Sequence, residues 1–441
     1  MEPYGIALIG CGNVGGGVVR LLLEHADRLA ARAGRPLELR RVVVRDPDKP
    51  RPVDLPRHLV TTDLRQVLND PGVQAAIEVV GGVDWAKRAV LDLLAAGKHV
   101  VTANKALLAM HGGEIFDAAR RHSRAIAFEA SVCGGIPIIG ALCQGLAANQ
   151  ILSLQGILNG TCNYILTGMT EQGRSYTDVL AEAQAKGYAE ADPTLDVDGT
   201  DAAHKLAILV QIAFGVAVPL PAIPRRGIAG IDLIDIRFAH ELGYTIKLLA
   251  EAFLDPANGT DEAGGQLALH VAPVMLKHAR PLALVRDAYN AITVVGDAVG
   301  TTLYYGRGAG PMPTASAVIA DVIDLAVGHA QLSFRTLRLW SGHNRDITLR
   351  PQATMPSRFY LRLMVQDRPG VLADVTRALA NHRISISSVI QHEAMDGPEG
   401  EIVPLIIMTH TAPTGAFLAT IGELNALDCV TAPSVYYHVG D

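Results

Sequence analysis

Residues 4–15, YGIALIGCGNVG, decide how the N-terminal part of the chain folds. An apolar run of strand length passes directly into glycines spaced GxGxxG, and a helical pattern follows. In such a strand–turn–helix the glycines allow a tight turn, close approach of the backbone to a pyrophosphate, and close packing of the helix on the strand. The free N–H groups at the helix start then face the phosphates. The predicted cofactor-binding residues here are Gly10, Gly12, Asn13, Val14 and Gly15. A glycine-rich turn without a ligand is the alternative.

The residues that follow extend this unit into a larger sheet. Short apolar or β-branched runs lie at 39–44, 75–80, 98–103 and 125–130, and helical patterns lie at 13–33 and near 85–96. Strands that alternate with helices are typical of a parallel sheet covered on both faces. We therefore predict an α/β domain over residues 1–130, with a doubly wound, Rossmann-type parallel sheet.

From about residue 135 the alternation gives way to an α+β pattern. Predicted strands lie at 151–158, 266–274 and 291–296, and predicted helices lie at 136–149, at 161–187 as a pair, and at 199–214. We predict a second, α+β domain over residues 131–340. Its last helix, a long apolar run at 315–330, is expected to pack back on the first domain.

The C-terminal part begins with a polar stretch. Residues 341–357, SGHNRDITLRPQATMPS, show no clear period and are predicted to be a linker. Strands are then predicted at 358–365, 385–391 and 401–410, with a closing strand near 434–438, and helices at 371–382 and 412–424. This order predicts a small independent βαββαβ unit over residues 358–441.

Bulk composition excludes several classes of protein. A chain of 441 residues is expected to form about three domains. The formal net charge of -6 argues against binding to nucleic acid. No apolar run is long enough to predict a membrane span, and the first residues lack the basic region of a signal peptide. The five cysteines are scattered and odd in number, which predicts free thiols in a reducing cytoplasm, with neither a disulfide framework nor a zinc site.

A second informative stretch is 183–209, AQAKGYAEADPTLDVDGTDAAHKLAIL. Lys205 follows Asp201 by four residues, so on a helix the two side chains share one face. The alternative is an exposed helix ion pair worth about 0.3–0.5 kcal/mol. A high density of carboxylates beside one lysine suits a site that holds a small amino-bearing substrate and transfers a proton. The carboxylates are Glu190, Asp192, Asp196, Asp198 and Asp201.

The end of the second predicted strand bears on the choice of cofactor. Arg45 precedes Asp46 in VVVRDPDKPR, and Lys49 and Arg51 add charge nearby. An arginine at this place can hold the 2′-phosphate of NADP, whereas an acidic residue binds the ribose hydroxyl of NAD. We predict NADP, with NAD as the alternative and a solvated charged loop as the third possibility.

Thr102, Asn104 and Lys105 follow a predicted strand in VTANKALL. The crevice at the carboxyl end of a parallel sheet is where ligands bind, so a lysine there can face a nicotinamide or a substrate. From position alone, a lysine in solvent at the start of a helix is the simpler interpretation.

Taken together, these motifs resemble homoserine dehydrogenase in its monofunctional bacterial form with a C-terminal ACT domain. In chain order the matching motifs are GCGNVG, VTANKALLA, FEASVCGGIPII, GILNGTCNYIL, AKGYAEADPTLDVDGTDAAHKLAIL, GRGAGPMPTASAV and DRPGVL, over about residues 5–438. The long motif at 185–209 and GILNGTCNYIL are highly specific, whereas GxGxxG and DRPGVL alone are not. The resemblance implies an oxidoreductase that interconverts L-aspartate 4-semialdehyde and L-homoserine with a nicotinamide cofactor, in threonine, methionine and isoleucine biosynthesis.

The resemblance also implies a role for each residue of the site. Lys205 would donate the proton to the aldehyde oxygen, and Asp201 would position Lys205 and the substrate. Lys105 would be a second lysine near the reacting centre and the nicotinamide. Glu190 and Asp196 would hold the amino group and the hydroxyl of the substrate. Further residues expected to contact the cofactor are Arg45, Thr102, Lys105, Gly308 and Gly310.

An alkali-ion site, for Na⁺ or K⁺, is implied at the turn after residue 128. Its ligands would be Glu129 and the backbone carbonyls of Val132, Gly134 and Ile136. One carboxylate with carbonyls is oxygen ligation for a hard cation. A strand-end glutamate without an ion is the alternative. Cys133 stands where many relatives have glycine, a departure that bears on this loop.

In ACT domains the turn DRPGVL helps to bind an amino-acid effector, usually across a dimer of such domains. Asp367, Gly370 and Leu372 would be the regulatory residues, and L-threonine, as a downstream product, is the natural candidate for the effector. The alternative is an ACT unit that only dimerises. The resemblance implies a homodimer through the middle domain, or a homotetramer through the C-terminal parts as well.

Two other functions compete with this interpretation. A dehydrogenase for a different semialdehyde would use a catalytic cysteine to form a thioester, but Cys133 and Cys162 have no recognisable histidine partner in the sequence. A nucleotide-binding sensor would have no need for Lys205 or Glu190, and both are present.

Overall fold

The N-terminal sheet consists of six parallel strands, as seen in a computed structural model that describes residues 2–256, 265–341, 347–391 and 402–440. Its strands are β1 (Tyr4–Ile9), β2 (Leu37–Val43), β3 (Val60–Thr61), β4 (Ala75–Glu78), β5 (His99–Thr102) and β6 (Ile126–Ala127). Its helices are α1 (Asn13–Glu24), α2 (Ala26–Ala33), α3 (Arg65–Leu68), α4 (Asp84–Ala95) and α5 (Lys105–Arg121). The predicted doubly wound parallel sheet is confirmed.

The strand order β3-β2-β1-β4-β5-β6 reverses direction between β1 and β4. At such a reversal the connections leave in opposite directions and open a crevice at the carboxyl ends of the strands. β1 is buried along its whole length, which explains its continuous apolar sequence. The single helix predicted over residues 13–33 is wrong, because the chain leaves the helical region at His25 (φ -128°, ψ 27°) and splits it into α1 and α2.

The middle part combines an antiparallel sheet with helices. Its elements are α6 (Ile138–Gly140), β7 (Ile151–Ile157), α7 (Gly160–Gln172), α8 (Tyr176–Ala185), α9 (Thr194–Val197), α10 (Thr200–Phe214), α11 (Leu233–Glu241), β8 (Tyr244–Pro256), β9 (Gly265–Lys277), β10 (Tyr289–Gly296), β11 (Gly300–Arg307), α12 (Pro311–Val327) and α13 (His329–Leu337). The strands pair in the order β11-β10-β7-β8-β9. Helix α10 is buried on nearly every side, and α12 packs against α1 of the first sheet. The helix predicted at 136–149 is instead the short α6 followed by a π-helical turn, Ala141–Gly145.

The C-terminal elements are β12 (Ile347–Leu349), β13 (Pro356–Gln366), α14 (Val371–Asn381), β14 (Ile386–Gln391), β15 (Ile402–Thr409), β16 (Ala412–Pro413), α15 (Thr414–Leu424) and β17 (Val435–Gly440). β13 lies between β15 and β17, and β14 forms the outer edge, so the predicted βαββαβ order is present.

The C-terminal unit is not independent, however, because its last strand joins the middle sheet. β17 pairs in parallel with β9, with His438 opposite Val274 and Gly440 opposite Leu276. β12, inside the predicted linker, also pairs with β9. The result is one continuous sheet, β11-β10-β7-β8-β9-β17-β13-β15-β14. This pairing satisfies backbone groups that two exposed edge strands would otherwise leave open.

No single helix of the described ranges has both the length and the apolar composition to cross a membrane. Helices α12 and α13 have that length and composition only when the two are counted together, and a bend of 89° separates them.

Candidate active site

The centre of the site is Asp201, which binds one lysine with each carboxylate oxygen. Its Oδ2 lies 2.7 Å from Nζ of Lys205, and its Oδ1 lies 3.0 Å from Nζ of Lys105. Asp201 and Lys205 are one turn apart on α10, whereas Lys105 begins α5 at the carboxyl end of β5. The pairing therefore brings the middle part of the chain against the crevice of the parallel sheet.

Lys205 is buried, and two of its three ammonium hydrogens are used. They are donated to Asp201 and, over 2.6 Å, to the carbonyl of Leu158. Burial is the largest single influence and lowers the pKa of Lys205, but the charge of Asp201, its hydrogen bond, and smaller contributions from Cys133 and Asp196 together outweigh burial and hold that pKa above its ordinary value. At neutral pH Lys205 is therefore a cation with one N–H still to donate, and not the exposed helix ion pair that spacing alone allowed.

Asp201 is held in its charged form by the same contacts. Burial works to raise the pKa of Asp201, but Lys205 and Lys105 together bring it well below its usual range. Lys105 is the more accessible of the two lysines, with 40% of its side chain exposed. The cluster thus presents one enclosed and one solvent-facing ammonium beside a fixed carboxylate.

Asn159 connects this cluster to a second carboxylate. Its Nδ2 donates to Oδ2 of Asp201 over 2.9 Å and to Oδ1 of Asp196 over 2.8 Å. Its Oδ1 accepts the N–H of Cys162, which caps α7. An asparagine directly before a predicted helix predicts this cap, and the cap is confirmed. The bridge between two carboxylates was not predicted, because it joins segments that are distant in the sequence.

The two acidic residues expected to hold the substrate have different surroundings. Asp196 is half-buried, and burial raises the pKa of its carboxyl group. Glu190 is exposed, and its carboxylate makes no hydrogen bond or ion pair with any described residue. Two residues earlier, the carbonyl of Tyr188 accepts from Oγ1 of Thr161 over 2.6 Å, which ties this loop to the start of α7. The structure thus joins Asp196 directly to the cluster, and leaves Glu190 on a loop held near it.

Cys133 approaches the cluster from the turn after Glu129. Its backbone is left-handed (φ 50°), a conformation that favours glycine. The thiol is buried, its Sγ lies 3.4 Å from Nδ2 of Asn290, and burial raises its pKa. Gly308 packs against the side chain of the same Asn290, and Gly310 begins α12. Gly308 therefore lies near the turn that carries Cys133, since the N–H of Gly135 in that turn donates to the Arg307 carbonyl over 3.0 Å.

The crevice between β1 and β4 opens into a cleft of about 940 Å³. Gly10, Gly12, Asn13 and Arg45 line it, whereas Val14 and Gly15 lie in the first turn of α1. Gly10 has φ 97°, and a Cβ on Gly15 would lie 2.3 Å from the Gly10 carbonyl oxygen, so both positions need glycine. No side chain caps the N-terminus of α1, which leaves its first N–H groups for an anion. These residues fit a dinucleotide.

Arg45 and Arg51 differ in what they contact beside this cleft. The guanidinium of Arg45 is exposed and has no hydrogen bond or ion pair within the described residues. Arg51 donates over 2.8 Å to the carbonyls of Pro47 and Lys49, and so holds the loop. The carboxylate of Asp46 accepts the N–H of Asp48 over 3.0 Å. Of the two arginines that line the cleft, Arg45 is thus the one whose guanidinium no described residue engages.

Thr102 does not line the cleft. Its hydroxyl donates to Glu78 over 2.7 Å and accepts the N–H of Asn104 over 3.0 Å. Asn104 in turn caps α5 and donates to the carbonyl of Gly82 over 2.7 Å. Glu78, which sequence analysis missed, is fully buried, and burial raises its pKa. Thr102 therefore stabilises the turn between β5 and α5, and this turn places Lys105 at the start of α5.

Of the four ligands predicted for the alkali ion, two accept hydrogen bonds from described residues and two do not. Both oxygens of Glu129 accept N–H groups at the start of α6, from Ile139 over 2.9 Å and from Gly140 over 2.7 Å. The carbonyl of Ile136 accepts the N–H of Ile138. Val132 and Gly134 are buried, yet within the described residues nothing donates to their carbonyls. These two oxygens fit a hard cation.

The predicted regulatory turn is exposed at the far edge of the continuous sheet. Oδ1 of Asp367 accepts from Nε2 of Gln391 over 3.3 Å. Gly370 has φ 96° and is the N-cap residue of α14, and Leu372 is 45% exposed. The residues thus lie beside the edge strand β14.

Comparison with known proteins identifies relatives along the whole chain. The family model for the homoserine dehydrogenase NAD-binding domain matches residues 10–129, that for homoserine dehydrogenase matches 137–323, and that for the ACT domain matches 359–426. Homoserine dehydrogenase of Pseudomonas aeruginosa is 42% identical over 100% of this chain and 99% of its own, and that of Neisseria gonorrhoeae is 42% identical over 98% of each. The crystal structure of a homoserine dehydrogenase from Thiobacillus denitrificans matches with a TM-score of 0.89 and 41% identity, over 100% of this chain and 99% of that one.

Proposed function

The chain belongs to the homoserine dehydrogenase family, and from that premise we propose that the cluster of Lys205, Asp201 and Lys105 carries out the interconversion of L-aspartate 4-semialdehyde and L-homoserine, with NADP as the preferred cofactor. The observation that carries this proposal is the single carboxylate, Asp201, held between two lysines. The product would enter threonine, methionine and isoleucine biosynthesis.

In the reducing direction, a bound nicotinamide cofactor would supply a hydride to the aldehyde carbon. The C=O π bond then breaks towards oxygen, and negative charge develops there. The ammonium group of Lys205 stabilises this negative charge, and its remaining N–H then transfers a proton to the oxygen. The products are a neutral amine on Lys205 and a hydroxyl group on the substrate. In the oxidising direction the neutral amine of Lys205 takes the same proton back. Asp201 stays ionised throughout and keeps Lys205 in place.

Asp196 and Glu190 are the carboxylates proposed to hold the ammonium and hydroxyl groups of the substrate. The hydrogen bond from Asn159 fixes Asp196 beside Asp201, so a bound ammonium would lie next to the reacting centre. Backbone N–H groups at the start of α7 are suited to the α-carboxylate of the substrate. Lys105, accessible beside Asp201, is placed to contact the substrate or the nicotinamide.

Arg45 supports NADP over NAD, because it is the arginine at this cleft whose guanidinium is not engaged elsewhere. The test is homoserine-dependent reduction of NADP and NAD in parallel. NADP should be the faster, and Arg45→Ala should raise its KM by about 10- to 100-fold, the effect of one or two charge-assisted hydrogen bonds. The KM for NAD should change less than about twofold. Arg32→Ala, at an exposed site on α2, is the matched control. Faster turnover with NAD would contradict the assignment.

We propose that a Na⁺ or K⁺ ion is bound by Glu129 with the carbonyls of Val132, Gly134 and Ile136. The support is the pair of buried carbonyls without a donor. Its role would be to fix the turn that carries Cys133. Replacing K⁺ and Na⁺ in the buffer by a large organic cation should lower the melting temperature, and Glu129→Gln should remove that response. A melting temperature that does not depend on the cation would contradict an ion site.

We propose a homodimer that forms through the open face of the middle sheet. The registers put Leu303, Tyr305 and Phe253 on one face, and these three apolar side chains are exposed. Clusters of exposed apolar groups mark association surfaces. Light scattering during size-exclusion chromatography should give twice the chain mass, and Leu303→Glu should give the monomer mass. A second contact through β14 would give a tetramer.

We propose the cytoplasm as the compartment of the protein, because the five free cysteines stay reduced there.

We propose that L-threonine is the inhibitor and that it binds at the turn of Asp367, Gly370 and Leu372 in the ACT unit. Asp367→Ala should weaken inhibition by threonine without changing the basal rate. A collapse of the basal rate would mean that this turn is structural.

A further inference from the structure

Residues 224–228 form a short segment that lies between the active-site loop and the C-terminal sheet. The segment runs beside β9: the N–H of Arg226 donates to the Val271 carbonyl over 2.8 Å, and the N–H of Val271 donates to the Pro224 carbonyl over 2.9 Å. It is therefore fixed to β9 by an isolated parallel bridge in which Arg225 lies opposite Val271.

On one side the segment touches residues 193–199, the stretch that contains the short helix α9 with Asp196 and that we call the 193–199 loop. The N–H of Ile228 donates to the Val197 carbonyl over 2.8 Å. A Cβ on Gly227 would lie only 1.9 Å from that same carbonyl oxygen and 2.6 Å from Cα of Asp198. The contact is backbone against backbone, so no side-chain rotation can relieve a shift. Any displacement of the segment must move the loop that holds Asp196 and leads into α10.

On the other side, Arg226 reaches the last strand of the C-terminal sheet. Its guanidinium donates to the Tyr436 carbonyl over 2.6 Å and lies 4.6 Å and 5.1 Å from the ring centres of Tyr436 and Tyr437. One planar cation thus makes a hydrogen bond and two cation–π contacts to β17.

A second link joins the same sheet to the middle part but does not lead to the active site. Asp235 on α11 is fully buried and accepts from the Tyr360 hydroxyl over 2.9 Å, from Nε of Arg362 over 2.7 Å and from the Tyr437 hydroxyl over 3.2 Å. Among the described residues, no hydrogen bond or ion pair joins these groups to residues 193–199. Tyr437 takes part in both links, whereas the hydroxyl of Tyr360 takes part only in the second, so Tyr360 provides the control for the link through Arg226.

We propose that Arg226 is a positioning residue for substrate binding, because it couples β17 of the C-terminal sheet to the loop that presents Asp196. Through it, a shift of β17 changes the placement of the substrate without contact between the C-terminal unit and the substrate. The positioning role rests on the proposed function, because it takes Asp196 as a residue that binds the substrate. Cofactor binding, at the opposite side of Lys105, is not coupled in this way.

The test compares Arg226→Met, Arg226→Lys and the control Tyr360→Phe in the full-length enzyme. Arg226→Met should raise the KM for homoserine about tenfold, the scale of one lost charge-assisted hydrogen bond, with the KM for the cofactor and kcat within about threefold of wild type. Arg226→Lys, which keeps the charge, should raise the KM by about threefold. Tyr360→Phe should lower the melting temperature and leave every KM unchanged.

Hydrogen exchange provides a readout that needs no activity. Backbone amides of residues 196–199 should exchange faster in Arg226→Met than in wild type, and at the wild-type rate in Tyr360→Phe. An unchanged KM for homoserine in Arg226→Met, or an equal rise in Tyr360→Phe, would overturn the positioning role. If Arg226→Met does not fold, Arg226→Lys carries the same criteria. A wild-type enzyme that does not oxidise homoserine would refute the proposed function instead, and the exchange rates would still decide the coupling.

Discussion

Replacing Lys205 by methionine is the most direct test of the mechanism. Methionine keeps the length of the side chain in a buried place but removes the ammonium. Asp201 keeps two partners, Nζ of Lys105 at 3.0 Å and Nδ2 of Asn159 at 2.9 Å. The carboxylate is therefore not left as an unpaired buried charge, and the variant is expected to fold.

The size of the effect follows from what Lys205 does in the structure. Two of its hydrogens hold Asp201 and the Leu158 carbonyl, and one is left for the reacting oxygen. Loss of a general acid costs about 10²- to 10⁴-fold in rate. Because Lys105 keeps a positive charge beside Asp201, we expect the lower part of that range, about 10²- to 10³-fold, or about 3–4 kcal/mol. The interaction exists only in the transition state, so kcat and kcat/KM should fall together.

The assay is single-turnover oxidation of NADPH by aspartate semialdehyde, with NADPH affinity measured separately by fluorescence. Affinity for NADPH should stay within about twofold, since Lys205 does not line the cofactor cleft. Lys87→Met is the matched control, because Lys87 is paired with Glu114 on the surface of the first domain. Turnover of Lys205→Met within threefold of wild type would refute Lys205 as the proton donor, as would an equal loss in Lys87→Met.

Three further outcomes are expected. Asp201 holds the pKa of Lys205 above its ordinary value, and oxidation of homoserine needs the neutral amine. The rate of oxidation should therefore rise about tenfold per pH unit between pH 7 and 9. The rate of reduction should not change over this range, and an oxidation rate that does not depend on pH would contradict this prediction. Cys133→Gly should keep the melting temperature and kcat near wild type, because relief of the left-handed backbone, about 1 kcal/mol, offsets glycine's greater freedom in the unfolded chain; a large loss of kcat would show that the thiol is needed. Burial lowers the pKa of His438 to about 3, so below pH 6.5 the unfolded chain binds a proton that the folded chain does not. Wild type should therefore lose about 2 kcal/mol of stability between pH 6.5 and 5 that His438→Gln retains, as urea unfolding can show.

Local spacing is enough to predict some of the site. Asp201 and Lys205 are four residues apart in a run of helix-forming residues, and the helix places them 2.7 Å from each other. The glycines after β1 similarly follow from the geometry of one strand–turn–helix unit. Both features are local, so sequence contains the information that determines them.

Contacts between distant segments could not be predicted in this way. The pair of Asp201 with Lys105 joins helices that start 95 residues apart, and the amide of Asn159 bridges carboxylates on two other elements. β8 was missed because it is buried on both faces for most of its length, and therefore lacks the alternation that marks a half-buried strand. Its Lys247 and Glu251 also interrupt the apolar run. The pairing of β17 with β9 is likewise invisible, since nothing in either strand specifies which edge it meets.

The protonation state of Lys205 shows most clearly why the chemistry needs the three-dimensional structure. Burial lowers the pKa of a lysine and a nearby carboxylate raises it, and both effects depend on distances that sequence does not contain. Here the carboxylate is closer than any other charge, is itself stabilised by Lys105, and is held rigidly by Asn159. Asp201 therefore cannot lose its charge to relieve the cost of burying Lys205. The balance favours a charged lysine, and a lysine that stays charged out of water is a donor suited to an oxygen on which negative charge develops.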